Sequence, residues 1–86
     1  MNPEVSSVKP LDNYALLLTF TNDEQRVFDS KPYLDKGVFK RLRECALFAR
    51  ARVVSGSVEW SEEIDLSHDT LYLESRPYQI AIPELA

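Results

Sequence analysis

Ser67, His68 and Asp69 place a hydroxyl, an imidazole and a carboxylate side by side, with Glu62, Glu63 and Asp65 just upstream. Histidine is the side chain whose ordinary pKa lies nearest neutrality, so general acid–base or nucleophilic chemistry would be sought here first. A Ser/His/Asp triad, however, works by convergence across a fold, with the base reaching the nucleophile and an oxyanion hole close by. Adjacency in the chain supplies none of this. Ser67 as a helix N-cap and Asp69 as a first-turn anion account for both residues without catalysis. The same carboxylates could hold a divalent cation, but an oxygen-ligand loop needs a glycine for its sharp turn, and none occurs between residues 57 and 86. A small hydrolytic or metal-dependent enzyme built around Asp65, His68 and Asp69 is the alternative reading. The leading expectation is that the chain is not an enzyme and has no catalytic, cofactor-binding or metal-binding residues.

Cys45 is the only cysteine, so an internal disulfide is impossible and a cysteine zinc site is not available. Three-to-four spacing places it on the apolar side of a helix, where a thiol behaves as a small buried hydrophobe. The two glycines, Gly37 and Gly56, are too few for a phosphate-cradling G-x-x-x-x-G-K loop.

The net charge of −4 averages over two opposed blocks. Lys36, Lys40, Arg41, Arg43, Arg50 and Arg52 stand against Glu44 alone, whereas residues 59 to 74 hold Glu59, Glu62, Glu63, Asp65, Asp69 and Glu74 with no lysine or arginine. Such blocks form solvated faces, pair with each other, or meet a charged partner. The acidic average disfavours nucleic acid, whose binding rests mainly on phosphates meeting Lys and Arg. A helix-turn-helix would also require a second helix after Ala46, where the pattern reads as strand. An accessory nucleic-acid contact through the Lys36–Arg52 face is a third reading. The surface expected to meet a partner comprises Lys40, Arg41, Arg43, Arg50, Arg52, Glu62 and Glu63, with Tyr78, Ile80 and Ile82 in the tail. The partner is expected to be an unidentified protein, and a homodimer through an edge strand or the tail is a second arrangement.

These residues have to be positioned by a small fold. Eighty-six residues suit one domain, which at this size buries roughly 60% of the surface its unfolded chain exposes. With 44% hydrophobic and 28% charged residues the composition is that of a globular domain. No run approaches the roughly 20 apolar residues of a membrane span, and Met1 to Ser6 lacks the regions of a secretion signal. A cytoplasmic location with no membrane partner is the expectation.

Tyr14, Leu16, Leu18 and Phe20 alternate, and Thr21-Asn22-Asp23-Glu24 supplies turn residues before Gln25 to Phe28 resumes an extended pattern, which predicts a β-hairpin. Val5 to Lys9 predicts a weaker strand ending at Pro10. From Gly37, Val38, Phe39, Leu42, Cys45 and Ala46 recur at helical spacing, with Asp35 as the expected N-cap. Ala49 to Val54 alternates again. Ser55-Gly56 is a two-residue turn signal that sets Val53 opposite Val58, Arg52 opposite Glu59 and Ala51 opposite Trp60. Trp60, Ile64 and Leu66 are expected in the core, and Ser67 is expected to cap a short helical turn holding Leu71 and Tyr72. The fold expected is α+β: two β-hairpins forming antiparallel sheet, one short amphipathic helix between them, and a short C-terminal helical turn. Residues 1–75 form the single domain, and 76–86 a C-terminal tail or edge strand.

Two segments stand out within this frame. One runs through Pro32-Tyr33-Leu34 and Lys36-Gly37-Val38-Phe39 to Leu42, and the other from Val58-Glu59-Trp60 to Ile64-Asp65-Leu66 and Asp69-Thr70-Leu71-Tyr72. Together, from about Val8 to Tyr72, they resemble the small bacterial proteins grouped as domain-of-unknown-function family 2442. Ser61-Glu62-Glu63 departs from the Pro-Asn-Gly type of turn common at that point. The resemblance implies a compact α+β domain, found alone or fused to a helix-turn-helix domain, and sometimes encoded beside other small proteins in the manner of toxin–antitoxin pairs. It implies no activity and carries no functional residues. The function expected is therefore a protein-interaction or regulatory module, antitoxin-like in character.

Overall fold

Leu16, Leu18 and Phe20 are buried while Ala15, Leu17 and Thr19 between them are partly exposed, the signature of a strand with one face on a core. A computed structural model describes residues 2–78. In chain order it contains β1 (Val5–Pro10), β2 (Ala15–Phe20), β3 (Gln25–Asp29), α1 (Cys45–Phe48), β4 (Arg52–Val54), β5 (Ser57–Ser61), β6 (Ile64–Leu66), α2 (His68–Glu74) and β7 (Arg76–Pro77). Short 3₁₀ helices occupy Asp12–Tyr14, Lys31–Tyr33 and Gly37–Arg43. The fold is α+β, with a four-stranded antiparallel sheet in the order β1-β2-β3-β7 and a three-stranded one in the order β4-β5-β6.

The first hairpin closes through Asn22, whose Oδ1 accepts the Glu24 N–H at 3.0 Å, and Asp23 adopts φ 69° there. The second closes at Ser55 (φ 50°) and Gly56 (φ 81°), the twist that suits a two-residue hairpin. Val53 pairs with Val58 and Arg52 with Glu59, as expected; the ladder begins at Arg52, so Ala49 to Ala51 is not strand. Gly56 also joins the sheets. Its carbonyl accepts the Val5 N–H at 2.8 Å, and a Cβ there would stand 2.8 Å from the Glu4 Cβ.

The central helix differs from the expectation. The chain forms a 3₁₀ helix from Gly37 to Arg43, breaks at Glu44 (φ −75°, ψ 114°), and makes a separate helical turn at Cys45–Phe48. The cause lies in a distant residue. The Tyr14 hydroxyl donates to the Arg43 carbonyl, the acceptor that a continuing α-helix would offer to Leu47, and the Leu47 N–H bonds the Glu44 carbonyl instead. Three residues per turn bring Phe39 and Leu42 to the core and turn Val38 outward, 42% exposed. Cys45 is exposed, not buried as expected, because its position follows the break. Asp35 does not cap: Lys36 holds the N-cap position, and the Asp35 carboxylate pairs with Arg43. Tyr14 itself precedes β2 with φ 60°, next to Asn13 at 61°, and packs edge-on against Phe48 with ring centroids 5.3 Å apart.

Trp60 is 2% exposed. Its ring stacks on Phe48 at 5.9 Å and its Nε1–H donates to the Phe48 carbonyl at 3.0 Å, so the buried indole has its polar partner. Ile64 and Leu66 return to the core beside it, and Leu71 of α2 completes it. Ser67 caps α2, its Oγ accepting the Thr70 N–H at 3.3 Å.

Candidate interaction surface

The two charge blocks meet each other. Arg52 reaches Glu59 across the β4–β5 pair at 2.7 Å, and Arg41 lies 3.9 Å from Glu63. Arg43 bonds the Leu34 carbonyl at 3.1 Å besides pairing with Asp35. Lys36 sits 5.5 Å over the Tyr33 ring. Of the charged residues expected to meet a partner, Lys40, Arg50 and Glu62 make no ion pair among the described residues. Exposed pairs contribute at most about 1 kcal/mol each, but they reduce the local positive field. The five expected basic residues are spread over a 3₁₀ helix, a loop and an edge strand, three of them already facing an acid.

Asp65, His68 and Asp69 each have local partners or a separate setting. Ser67 is engaged as the cap, the His68 backbone N–H donates to Ser57 Oγ at 3.1 Å, and Asp69 Oδ1 accepts from Asn2 at 2.9 Å. His68 Nε2 stands 3.4 Å from Asp69, so these two do touch. Asp65 projects from the outward side of β6, opposite Glu59. Among the described residues no three His, Cys, Asp or Glu side chains cluster as metal ligands, and no helix is long and apolar enough to cross a membrane. A cleft of about 270 Å³ opens elsewhere, lined by residues 10–14, Cys45, Phe48 and Ala49. In it the Tyr14 hydroxyl lies 3.5 Å from Cys45 Sγ, and that contact with desolvation raises the phenol's pKa.

A different surface emerges from the register of the first sheet. Residues opposite one another in an antiparallel pair share a face. The inward rows contain Val8, Leu18 and Arg26, then Pro10, Leu16 and Phe28. The outward rows are the alternate ones. Lys9, Leu17, Val27 and Arg76 form a single row across all four strands, with Ala15 opposite Asp29 on one side and Ser7, Thr19 and Gln25 on the other. Gln25 Nε2 donates to Thr19 Oγ1 at 3.3 Å, as neighbours on one face would. Tyr78 follows Arg76 by two residues, its N–H bonded to the Gln25 carbonyl at 2.9 Å, and is 39% exposed at the edge of this face. Leu17 and Val27 belong to neither the buried core nor the residues packed against it. Ile80 and Ile82, expected with Tyr78 in the partner surface, lie outside the described residues.

The inward side of the same edge explains why β7 is there. The Arg26 guanidinium, 14% exposed, donates to Ser75 Oγ at 2.8 Å and to the Ser75 carbonyl at 2.7 Å, and pairs with Glu24 at 2.8 Å. It lies 4.6 Å from the Tyr72 ring centroid, and the Tyr72 hydroxyl donates to Glu24 at 2.8 Å. That hydroxyl first, then Arg26 and Asn22, hold the Glu24 carboxyl below the usual range. Tyr33 donates to Glu74 at 2.5 Å, and burial together with that carboxylate pushes its pKa up to about 12. These bonds fasten α2 to β3, and the chain then leaves as β7 with Arg76 on the outward face. The alternation of Leu16, Leu18 and Phe20 turns Leu17 to the opposite side of β2, but only the pairing shows that Leu17 and Val27 are neighbours.

The model of a family described as a protein of unknown function, DUF2442, matches residues 5–77. Among solved structures the chain is similar to the crystal structure of Putative DNA Binding Protein NE0471 from Nitrosomonas europaea, with 26% sequence identity and a TM-score of 0.75 over 85% of this chain and 48% of that one. The chain thus spans about half the length of that protein. No curated protein matches the chain.

Proposed function

The chain belongs to the DUF2442 family, whose function is unknown, and from that premise we propose that it is a non-enzymatic protein-interaction module that receives a partner on the outward face of the four-stranded sheet. The observation that carries this is the Leu17–Val27 pair, aliphatic on both central strands and partly exposed outside the core cluster. Aliphatic side chains suit a strand on either face, but a cross-strand pair at the centre of an outward face also offers a docked partner apolar area to bury.

The Nitrosomonas relative is named for DNA binding, yet this chain spans only about half its length. On the present chain Arg41, Arg43 and Arg52 face acids, and the net charge is −4. The module therefore serves a DNA-binding assembly, where it does so, as the part that meets protein; an antitoxin-like or other cytoplasmic regulatory role fits this division. An enzyme at Asp65, His68 and Asp69 has less support, since Ser67 caps and Asp65 faces outward on β6.

Tagged chain recovered from its native cells tests the proposal. A partner retained by the wild type and by Asp65→Asn, and lost from folded Leu17→Asp, is the expected result. Full retention by Leu17→Asp would remove this face from consideration.

A further inference from the structure

The outward face of the first sheet is cationic on a chain that is anionic as a whole. Lys9 closes one end of the Leu17–Val27 row and Arg76 the other. The one acid among the described strand residues of this face, Asp29, is 3.3 Å from the Lys31 ammonium, and its Oδ1 also accepts the Lys31 backbone N–H at 3.0 Å. The Lys31 N–H and ammonium, with Arg76 nearby, hold that carboxyl below its ordinary range despite some desolvation, so it is satisfied within the chain. Among the described residues Lys9, Lys31 and Arg76 thus surround an aliphatic centre, with Asp29 already partnered by Lys31.

This arrangement selects among partners. A second copy placed face to face by a twofold axis, along the row or across it, sets cationic ends against cationic ends, which is repulsive. Single-stranded nucleic acid would meet three cations but no stacking platform, because the centre is Leu17, Val27 and Ala15, with Tyr78 alone at the rim. Resting on the interaction reading above, we infer that the partner is a protein segment presenting aliphatic side chains bracketed by carboxylates. The aliphatic groups cover Leu17 and Val27, and the carboxylates meet Lys9 and Arg76.

The test uses the full chain, ¹⁵N-labelled, titrated with capped peptides that share a Leu-Val-Leu centre and differ only in flanks: aspartate pairs, serine pairs or lysine pairs. The aspartate peptide should shift amides of residues 15–19 and 25–29 and bind about tenfold or more tighter than the lysine peptide, with affinity falling as salt rises. Lys9→Glu combined with Arg76→Glu should reverse that preference. Leu17→Asp should abolish binding by every peptide, its folding being checked by the dispersion of the same amide spectrum. Equal affinity for the serine and aspartate peptides would overturn the charge inference while leaving the interaction reading standing. Stronger shifts of these amides by an oligothymidylate would assign the face to nucleic acid, and concentration-dependent shifts of the free chain would assign it to a second copy; either overturns the inference. So would the absence of any peptide response at these amides.

Discussion

Across the second sheet the outward row reads Arg52, Glu59, Asp65; across the first it reads Lys9, Leu17, Val27, Arg76. Both sheets bury their other face in the same core, through Val58, Trp60, Ile64 and Leu66 in one and Leu16, Leu18, Phe20 and Phe28 in the other. The second sheet pairs its outward charges internally, with Arg52 and Glu59 2.7 Å apart and Val54 exposed beside Arg52 on the same face. The first leaves an aliphatic pair at the middle of its outward face with cations at both ends. One sheet pairs its outward charges with each other, and the other sets an aliphatic pair between cations, the face proposed above for docking. The difference also explains why a domain this small needs the Arg26 latch: β7 contributes only Arg76 and Pro77 to the ladder, too little to hold by strand pairing, yet it brings Arg76 to the end of the row.

The largest expected effect contrasts the two sides of β2. Leu18→Ala removes a fully buried side chain and should cost about 2–5 kcal/mol, measured by urea unfolding. Leu17→Ala, one residue away on the outward face, should cost less than about 1 kcal/mol. Similar losses for the two would mean that the outward face is packed after all.

Arg26→Ala leaves Ser75 and Glu24 without their guanidinium partner and should destabilise by about 1–3 kcal/mol. Exchange protection of the Tyr78 amide should be lost as β7 detaches, while protection in β4, β5 and β6 should change little. Between the sheets, Gly56→Ala meets Glu4 and a φ of 81° and should cost about 1–2 kcal/mol by the same unfolding assay.

The latch also sets an acid response. Glu24 has a folded pKa below its ordinary value of 4.5, so its contribution is present above that value and is lost as pH falls through the lower folded one. Stability of the wild type should drop across that window, and Tyr72→Phe, which removes the main cause of the shift, should flatten the drop. The smallest effect belongs to the second sheet: Arg52→Ala should change stability by no more than about 0.5 kcal/mol, with partner binding unaffected.

Much of this fold was legible from local chemistry. The Asn22-Asp23 and Ser55-Gly56 turns, the Val53–Val58 and Arg52–Glu59 register, the Ser67 cap and the buried Trp60 all follow from signals a few residues wide. The helix break at Glu44 was not legible, because the hydroxyl that takes the Arg43 carbonyl comes from Tyr14, far upstream. Cys45 and Val38 were misplaced for the same reason. The basic block read as a surface lost part of its charge to Asp35, Glu59 and Glu63, pairings that depend on tertiary proximity. Of the expected partner residues Tyr78 does border the outward sheet face. The centre of that face was missed because an aliphatic residue in a strand counts as core until its cross-strand neighbours are known.

Site-specific photo-crosslinking in the native cells, with the crosslinking residue placed at position 17 in one strain and at position 59 in another, tests the docking face most directly. The account predicts a discrete adduct to one protein from position 17 and none from position 59. An adduct from position 59 with none from position 17 would contradict it.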